Sequence, residues 1–180
     1  SAERVKMMST IKKLDPIQLA TSADVETLDR IMQFTTQNLP NRDWFFDDDI
    51  DFIRRHINSD SGYTLKYMVD GEIAGFLIIR YPGSDDDNLG CYLDLPDEEL
   101  QYVAHMESTC VLPQYRGRRI FQQLTARALE IERAKGRLMD ALHLSEKDAH
   151  YRMQKKSMDS GRRIADVARE ILELEDLSGF

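Results

Sequence analysis

The chain has 180 residues, of which 42% are hydrophobic and 31% are charged, with a mean hydropathy of −0.49. This composition suits a globular domain that is long enough to bury a core. The formal net charge of −8 argues against general affinity for nucleic acid or an anionic membrane, and no apolar run reaches the roughly 20 residues of a membrane span. We therefore expect one cytoplasmic domain over 1–180, with a flexible leader over 1–12.

The first half of the chain contains the patterns of four elements: a strand over 15–20, a helix over 22–39, a helix over 44–57 and a hairpin over 63–81. Ser22 is the expected N-cap of the first helix. The second helix carries a buried stripe of Ile50, Ile53 and Ile57. Asp70-Gly71 predicts the tight turn of the hairpin, because this dipeptide tolerates the positive φ angles that such a turn requires.

The second half begins with a long acidic loop and continues as alternating strands and helices: a loop over 82–100, a strand over 101–112, a helix over 118–136, a strand over 137–144 and a helix from Ser145 to about Met158. Gly136 is expected to close the first of these helices. Residues 161–180 carry a helical apolar face. The order β-α-α-β-β-β-α-β-α predicts an α/β or α+β fold, with a mainly antiparallel sheet and at least one parallel crossover.

The stretch VLPQYRGRRIF, residues 111–121, leads from a strand through a turn into a helix. The unpaired backbone N–H groups at such a helix N-terminus favour anions. Three arginines add positive charge, and Gly117 allows close approach of the backbone, which together indicate a pyrophosphate site. The alternative is a solvated basic turn, or a patch that contacts acidic loops such as 85–87. The two cysteines form no ligand pattern, and no metal site is expected.

This stretch resembles motif A of the GNAT N-acetyltransferase superfamily, in which (Arg/Gln)-x-x-Gly-x-(Gly/Ala) wraps the pyrophosphate of acetyl-CoA. Most of the chain follows the order of elements in that family, and the acidic insert before the strand is similar to that of a bacterial subset. Arg119 and Phe121 depart from the pattern, because they stand where the family has small residues. For 161–180 the resemblance implies two strands, against the helical pattern, and the alternatives stay open.

The resemblance implies a GNAT-like mixed, mainly antiparallel twisted sheet flanked by helices, with acetyl-CoA as co-substrate. It also implies that nine residues contact the cofactor: Cys110, Val111, Arg116, Gly117, Arg118, Arg119, Ile120, Phe121 and Gln122. The family's tyrosine acid has no counterpart in its usual pattern here, and Tyr151 is the nearest candidate in sequence.

The strand before the arginines contains the candidate base. Side chains alternate between the two faces of a strand. This alternation places four residues on one face: His105, Glu107, Thr109 and Val111. Glu107 is the expected general base, acting through a water, and His105 is the second candidate. The alternative is that Glu107 pairs with an arginine for structural reasons.

Three functions follow from these observations. The leading hypothesis is an acetyl-CoA-dependent N-acetyltransferase that acts on a small-molecule or peptide amine in a ternary complex, with no nucleic-acid or membrane partner. The alternative is a non-catalytic, acyl-CoA-binding or regulatory member of the same fold. The third, a basic turn that binds RNA or a protein, is disfavoured by the net charge. The oligomeric state stays open, with a homodimer among the alternatives.

Overall fold

Five strands and six α-helices build the fold of the residues that the structure describes. The computed structural model describes residues 15–45 and 48–180, so the predicted leader over 1–12 lies outside the described residues. The strands are β1 (Ile17–Leu19), β2 (Asn58–Ser59), β3 (Gly62–Val69), β4 (Glu72–Arg80) and β5 (His105–Val111). The helices are α1 (Val25–Gln37), α2 (Ile50–Arg55), α3 (Asp97–Leu100), α4 (Ile120–Leu142), α5 (Glu146–Ser160) and α6 (Ile164–Glu173).

The strands form one sheet in the order β1-β3-β4-β5, and β2 pairs with the end of β3. Asp70 and Gly71 have φ angles of 50° and 86° and connect β3 to β4, which confirms the predicted hairpin. Every strand pairing within the described part of the chain is antiparallel. The predicted parallel crossover is therefore wrong, because the chain that follows β5 continues as helices.

A β-bulge interrupts β5. Strand β4 has one residue, Ile78, where β5 has two, Glu107 and Ser108. Such a bulge breaks the period-two alternation of side chains. Glu107 and Ser108 therefore share the face of His105, whereas Thr109 lies on the other face. The predicted grouping of Thr109 and Val111 with His105 and Glu107 is wrong for this reason.

Caps mark the starts of the first helical segments. A 3-10 turn over Ser22–Asp24 leads into α1, and Thr21 caps this turn: Asp24 accepts the backbone N–H of Thr21 at 2.7 Å. The N-cap residue of α1 itself is Asp24, which makes no side-chain cap bond there, so the predicted Ser22 cap is wrong. Asp49 accepts the N–H of Phe52 at 2.6 Å and begins α2. Of the predicted stripe on this second helix, Ile53 is fully buried.

The C-terminal region is helical throughout. Helix α4 runs past Gly136 to Leu142, so the predicted strand over 137–144 is wrong. Leu138 and Met139 continue its buried stripe, and this burial outweighs the roughly 1 kcal/mol cost of a helical glycine. Ser145 caps α5 as predicted, by accepting the N–H of Asp148 at 3.1 Å.

Helix α6 resolves the ambiguity of the last segment. Its apolar face, which includes Ile164, Val167 and Ile171, is buried. The helical pattern predicted this element correctly, and the two strands implied by the resemblance are absent from the described residues.

The sheet separates two apolar cores. One core lies between the sheet and α4–α6, and includes Leu65, Ile131 and Val167. The other lies between the opposite face and α1–α2, and includes Leu28 and Phe76. The sheet and the C-terminal helices thus share one core. Of the helices described in 15–45 and 48–180, none has the length and apolar character needed to cross a membrane.

Candidate functional sites

The turn that contains Arg116, Arg118 and Arg119 lies just before α4, and we call it the arginine turn. It forms a shallow depression. Gly117 and Arg119 have φ angles of 79° and 59°, and Arg119 is the N-cap of α4 without a side-chain cap bond. The N–H groups of the first helical turn therefore face outward, as at an anion site. A depression of about 320 Å³ is lined by Tyr115 and by seven of the nine predicted residues: Val111, Arg116, Gly117, Arg119, Ile120, Phe121 and Gln122.

The other two predicted residues lie elsewhere. The Cys110 side chain is fully buried in the core beneath α1, and burial raises the pKa of its thiol to about 12. The Arg118 guanidinium lies 5.3 Å from the ring centroid of Tyr115, outside the depression. Phe121 is 52% exposed and does not enter the core.

Glu107 is held in an ion cluster. The Arg80 Nε atom donates to Glu107 Oε1 at 2.8 Å, and its two Nη atoms contact Asp85 at 3.2 Å and Asp87 at 2.9 Å. His105 Nε2 accepts the backbone N–H of Leu89 at 3.1 Å. Because a backbone amide only donates, the His105 proton is on Nδ1, 3.2 Å from Glu107 Oε1.

This cluster ties the acidic segment 81–104 to the sheet. The guanidinium holds Glu107 as a hydrogen-bond acceptor, a pairing with arginine of the kind that the structural alternative describes, and the general-base role stays a prediction. Ser108 donates to Asp48, whose pKa is raised by burial. Sequence reasoning missed Arg80 and Asp48, since neither has a local pattern that points to Glu107.

Tyr151 lies on a different surface from the other predicted catalytic residues. It is 61% exposed on α5 and lines a depression of about 490 Å³, together with Arg152, Lys155, Lys156 and Phe180. None of the residues that line the arginine depression lines this one. The structure therefore brings His105 and Glu107 into contact but places Tyr151 on a separate surface.

The depression on α5 combines cations with aromatic rings, and we call it the α5 surface. Arg152 donates to the carbonyl of Phe180 at 3.2 Å, and Lys156 Nζ lies 4.5 Å from the Phe180 ring centroid. Lys155 makes no ion pair with any of the described side chains. Aspartates at the rim, Asp148 and Asp159, limit the positive charge. The exposed Tyr151 ring beside lysine and arginine suits a stacked base and phosphates.

A buried polar cluster joins the sheet to α4 and α5. Tyr63 and Tyr81 donate to Glu132 Oε1 at 3.0 and 2.9 Å. Lys135 Nζ lies 2.5 Å from both Glu132 Oε2 and Glu146 Oε1, and 3.6 Å from the Tyr81 ring centroid. Burial and the adjacent Glu132 raise the pKa of both tyrosines well above the usual value. This cluster fixes the position of the helices on the sheet.

His150 packs against the same cluster. Its ring stacks on Tyr63, with centroids 5.6 Å apart. Burial, followed by the charge of Lys135, lowers the His150 pKa to about 4. Sequence reasoning missed the whole cluster, and its only local signal is the charged pair Glu132 and Lys135 beside the apolar stripe of α4.

Charge divides the chain into two parts. Residues 1–115 hold 21 of the 32 acidic residues and 10 of the 24 basic ones, whereas residues 116–180 hold 11 acidic and 14 basic residues. The net charge of the whole chain therefore conceals a basic C-terminal region. Among the described residues, no group of three or more His, Cys, Asp or Glu side chains is placed to hold a metal ion.

These features define a mixed α+β protein, with an antiparallel five-stranded sheet in its N-terminal part and a helical region that presents a cationic and aromatic surface. Residues 120–172 of that helical region match the ANTAR domain family. The match begins at the first residue of α4 and ends within α6. Searches of curated proteins and of solved structures gave no match to the chain.

The match overturns the acetyltransferase interpretation. ANTAR domains bind RNA in transcription antitermination and are not enzymes. The predicted GNAT membership, the N-acetyltransferase activity on an amine and the absence of a nucleic-acid partner are therefore wrong. The physical reasons are that helices replace the strand expected after Gly136, and that the total charge hides the basic region.

Proposed function

We propose that this protein is an RNA-binding regulator of transcription antitermination, and that residues 120–172 form its RNA-binding part. The match of this region to the ANTAR domain family carries the proposal. A regulator of this kind acts on RNA during transcription, so we also propose that the protein acts in the cytoplasm.

The α5 surface has the chemistry that RNA binding requires. Arg152, Lys155 and Lys156 are spaced three and four residues apart, so they lie on one side of the helix. The exposed Tyr151 ring lies next to them and offers a stacking surface for an unpaired base. We propose that the cations bind phosphates and that Tyr151 stacks on a base.

The three helices form a rigid support for this surface. Leu138 of α4 and Val167 of α6 are fully buried in the same core. The Arg137 guanidinium donates to the carbonyls of Ile171 and Leu172, each at 2.7 Å, and so closes the C-terminal end of α6. A preorganised support of this kind reduces the entropy lost when RNA binds.

The experiment uses the full chain and a pool of RNA hairpins with randomised loops. Selection is expected to enrich hairpins, and fluorescence anisotropy then gives their affinity. Lys155→Glu and Tyr151→Ala should each weaken binding roughly tenfold. Lys155→Glu removes a phosphate contact, and Tyr151→Ala removes the ring on which a base stacks. Arg30→Glu, an exposed charge reversal on α1, is the matched control and should change little. No enriched hairpin, or equal binding by Lys155→Glu and the control, contradicts the proposal.

A second candidate function concerns the arginine turn. We propose that its depression binds the diphosphate of acetyl-CoA or CoA as a ligand and not as a reactant. The clustering of seven predicted residues around the uncapped start of α4 favours this proposal. Helix α4 also begins the ANTAR match, so a ligand at this end would contact the RNA-binding region directly.

Thermal unfolding tests this ligand. Acetyl-CoA or CoA should raise the melting temperature of the wild-type chain, because a ligand that binds only the folded state stabilises it. Arg116→Ala should reduce this shift, while Arg133→Ala, an exposed change farther along α4, should preserve it. If neither acetyl-CoA nor CoA raises the melting temperature, this ligand is excluded, and the RNA proposal stays intact.

A further inference from the structure

Strand β5 is the last strand of the sheet and exposes one edge. Its partner is β4, and no other strand in 15–45 or 48–180 pairs with it. Alternate backbone N–H and C=O groups of an edge strand point away from the sheet and can pair with another strand. Proteins commonly protect such edges with proline, outward lysine or a bulge; the sequence HMESTCV contains no proline or lysine, and its bulge is confined to Glu107 and Ser108. Its one acid, Glu107, is bound to Arg80.

Exposed apolar side chains lie within β5 and in the segments next to it. Tyr102, just before the strand, is 57% exposed, and Met106 within it is 42% exposed. At the other end, Phe121 lines a depression together with Val111. An added strand would cover Met106 while it satisfies the free backbone groups.

The two ends of β5 have opposite charge. The acidic segment, which includes Asp86, Glu98 and Glu99, leads into its N-terminal end. The arginine turn, with Arg116 and Arg118, follows its C-terminal end. Both groups are exposed to solvent, and a strand of this length separates them by about 20 Å.

We propose that the protein forms a two-fold symmetric dimer, in which β5 pairs antiparallel with β5 of a second copy. Antiparallel pairing places the arginine turn of each copy beside the acidic segment of the other, so the interface is electrostatically complementary at both ends. Parallel pairing would place like charges together. The dimer joins two sheets into one and covers Met106 of both copies. This inference is independent of RNA binding.

Sedimentation analysis over a range of concentrations tests the dimer. The wild-type chain should show a reversible monomer–dimer equilibrium that weakens as salt is raised, because salt screens the end contacts. Met106→Lys, a charged side chain on the edge, should abolish the dimer. Arg118→Glu and Glu98→Lys should each weaken it roughly tenfold, since each change acts twice in a two-fold interface.

Charge rescue then identifies the antiparallel arrangement. A mixture of the Arg118→Glu and Glu98→Lys chains should form a heterodimer of nearly wild-type affinity. The introduced glutamate of one chain then meets the introduced lysine of the other, and the second end keeps its original pair of charges. Lys155→Glu and Arg30→Glu are controls and should leave the dimer unchanged.

Three results would each overturn the proposal: monomers at all concentrations, a dimer that survives Met106→Lys, or the absence of rescue in the mixture. Hydrogen exchange gives a second readout, since the outward amides of 105–111 should be protected in the dimer only.

Discussion

The sheet-bearing part of the molecule, residues 15–115, and the helical part, residues 116–180, differ in charge and in how their structure arises. The first part holds most of the acids and is built from pairings between distant segments, whereas the second holds most of the arginines and lysines and is built from local helices. A net charge of −8 describes neither part. Electrostatic arguments about partners therefore need to be made for each region separately.

The two parts are joined by a buried ion cluster, and removal of its cation should have the largest effect on stability. Lys135→Ala leaves Glu132 and Glu146 without their shared partner, at a cost of about 3–5 kcal/mol in the free energy of unfolding. Chemical denaturation measures this change. The neighbouring exposed substitution Arg133→Ala is the control and should cost less than about 0.5 kcal/mol. A loss below about 1 kcal/mol for Lys135→Ala would show that the junction is not held by this cluster.

The shared core predicts that both parts unfold together. Ile131→Ala removes a fully buried side chain between the sheet and the helices, and should cost about 2–5 kcal/mol. Tryptophan fluorescence and far-ultraviolet circular dichroism should report one coincident transition, shifted by the same amount. The exposed Leu129→Ala change on the same helix should shift it little. Two separate transitions would show that the sheet and the helices are independent domains.

His150 gives the junction a pH dependence. Its folded-state pKa of about 4 lies below the unfolded value of 6.5, so the unfolded chain binds the extra proton between these values. Stability should therefore fall as the pH is lowered from about 6.5 to 4, by at most about 3 kcal/mol from this residue. His150→Phe keeps a stacked ring but cannot titrate, so its stability should fall less over the same range. Parallel curves for the two proteins would exclude His150 as the cause.

The buried thiol of Cys110 should produce the smallest effect. Burial holds this thiol protonated, so iodoacetamide at pH 8 should modify the exposed Cys91 and leave Cys110 unreacted in the native chain. Mass spectrometry of the digested protein measures both sites. Rapid modification of Cys110 without denaturant would show that the core beneath α1 opens readily.

Elements with strong local signals were predictable from sequence. The Asp70-Gly71 turn and the Ser145 cap were both correct, because each depends on the chemistry of neighbouring residues. The end of α4 was not predictable from Gly136 alone, since packing of Leu138 against the sheet decides it. Leu138 and Met139 continue the helical spacing of apolar residues beyond Gly136, and this spacing was the signal that favoured a helix.

The candidate sites were predictable only in part. The arginine turn brings together most of its predicted residues, because they are adjacent in sequence. Pairing of Glu107 with an arginine was one of the two alternatives drawn from the sequence. Its partner Arg80 and the bulge in β5 were not predictable, because both depend on the distant strand β4. The α5 surface had a visible signal in Tyr151, Arg152, Lys155 and Lys156, but the resemblance directed attention to acetyl transfer.

Photocrosslinking of bound RNA to the full-length protein tests the central claim most directly. A selected hairpin that carries photoreactive uridines is irradiated with the chain, and mass spectrometry identifies the crosslinked peptides. The RNA-binding proposal predicts crosslinks to peptides of α5, with Tyr151 as the foremost site because its ring is exposed beside the cations. Crosslinks confined to residues 15–115, or none at all, would contradict it.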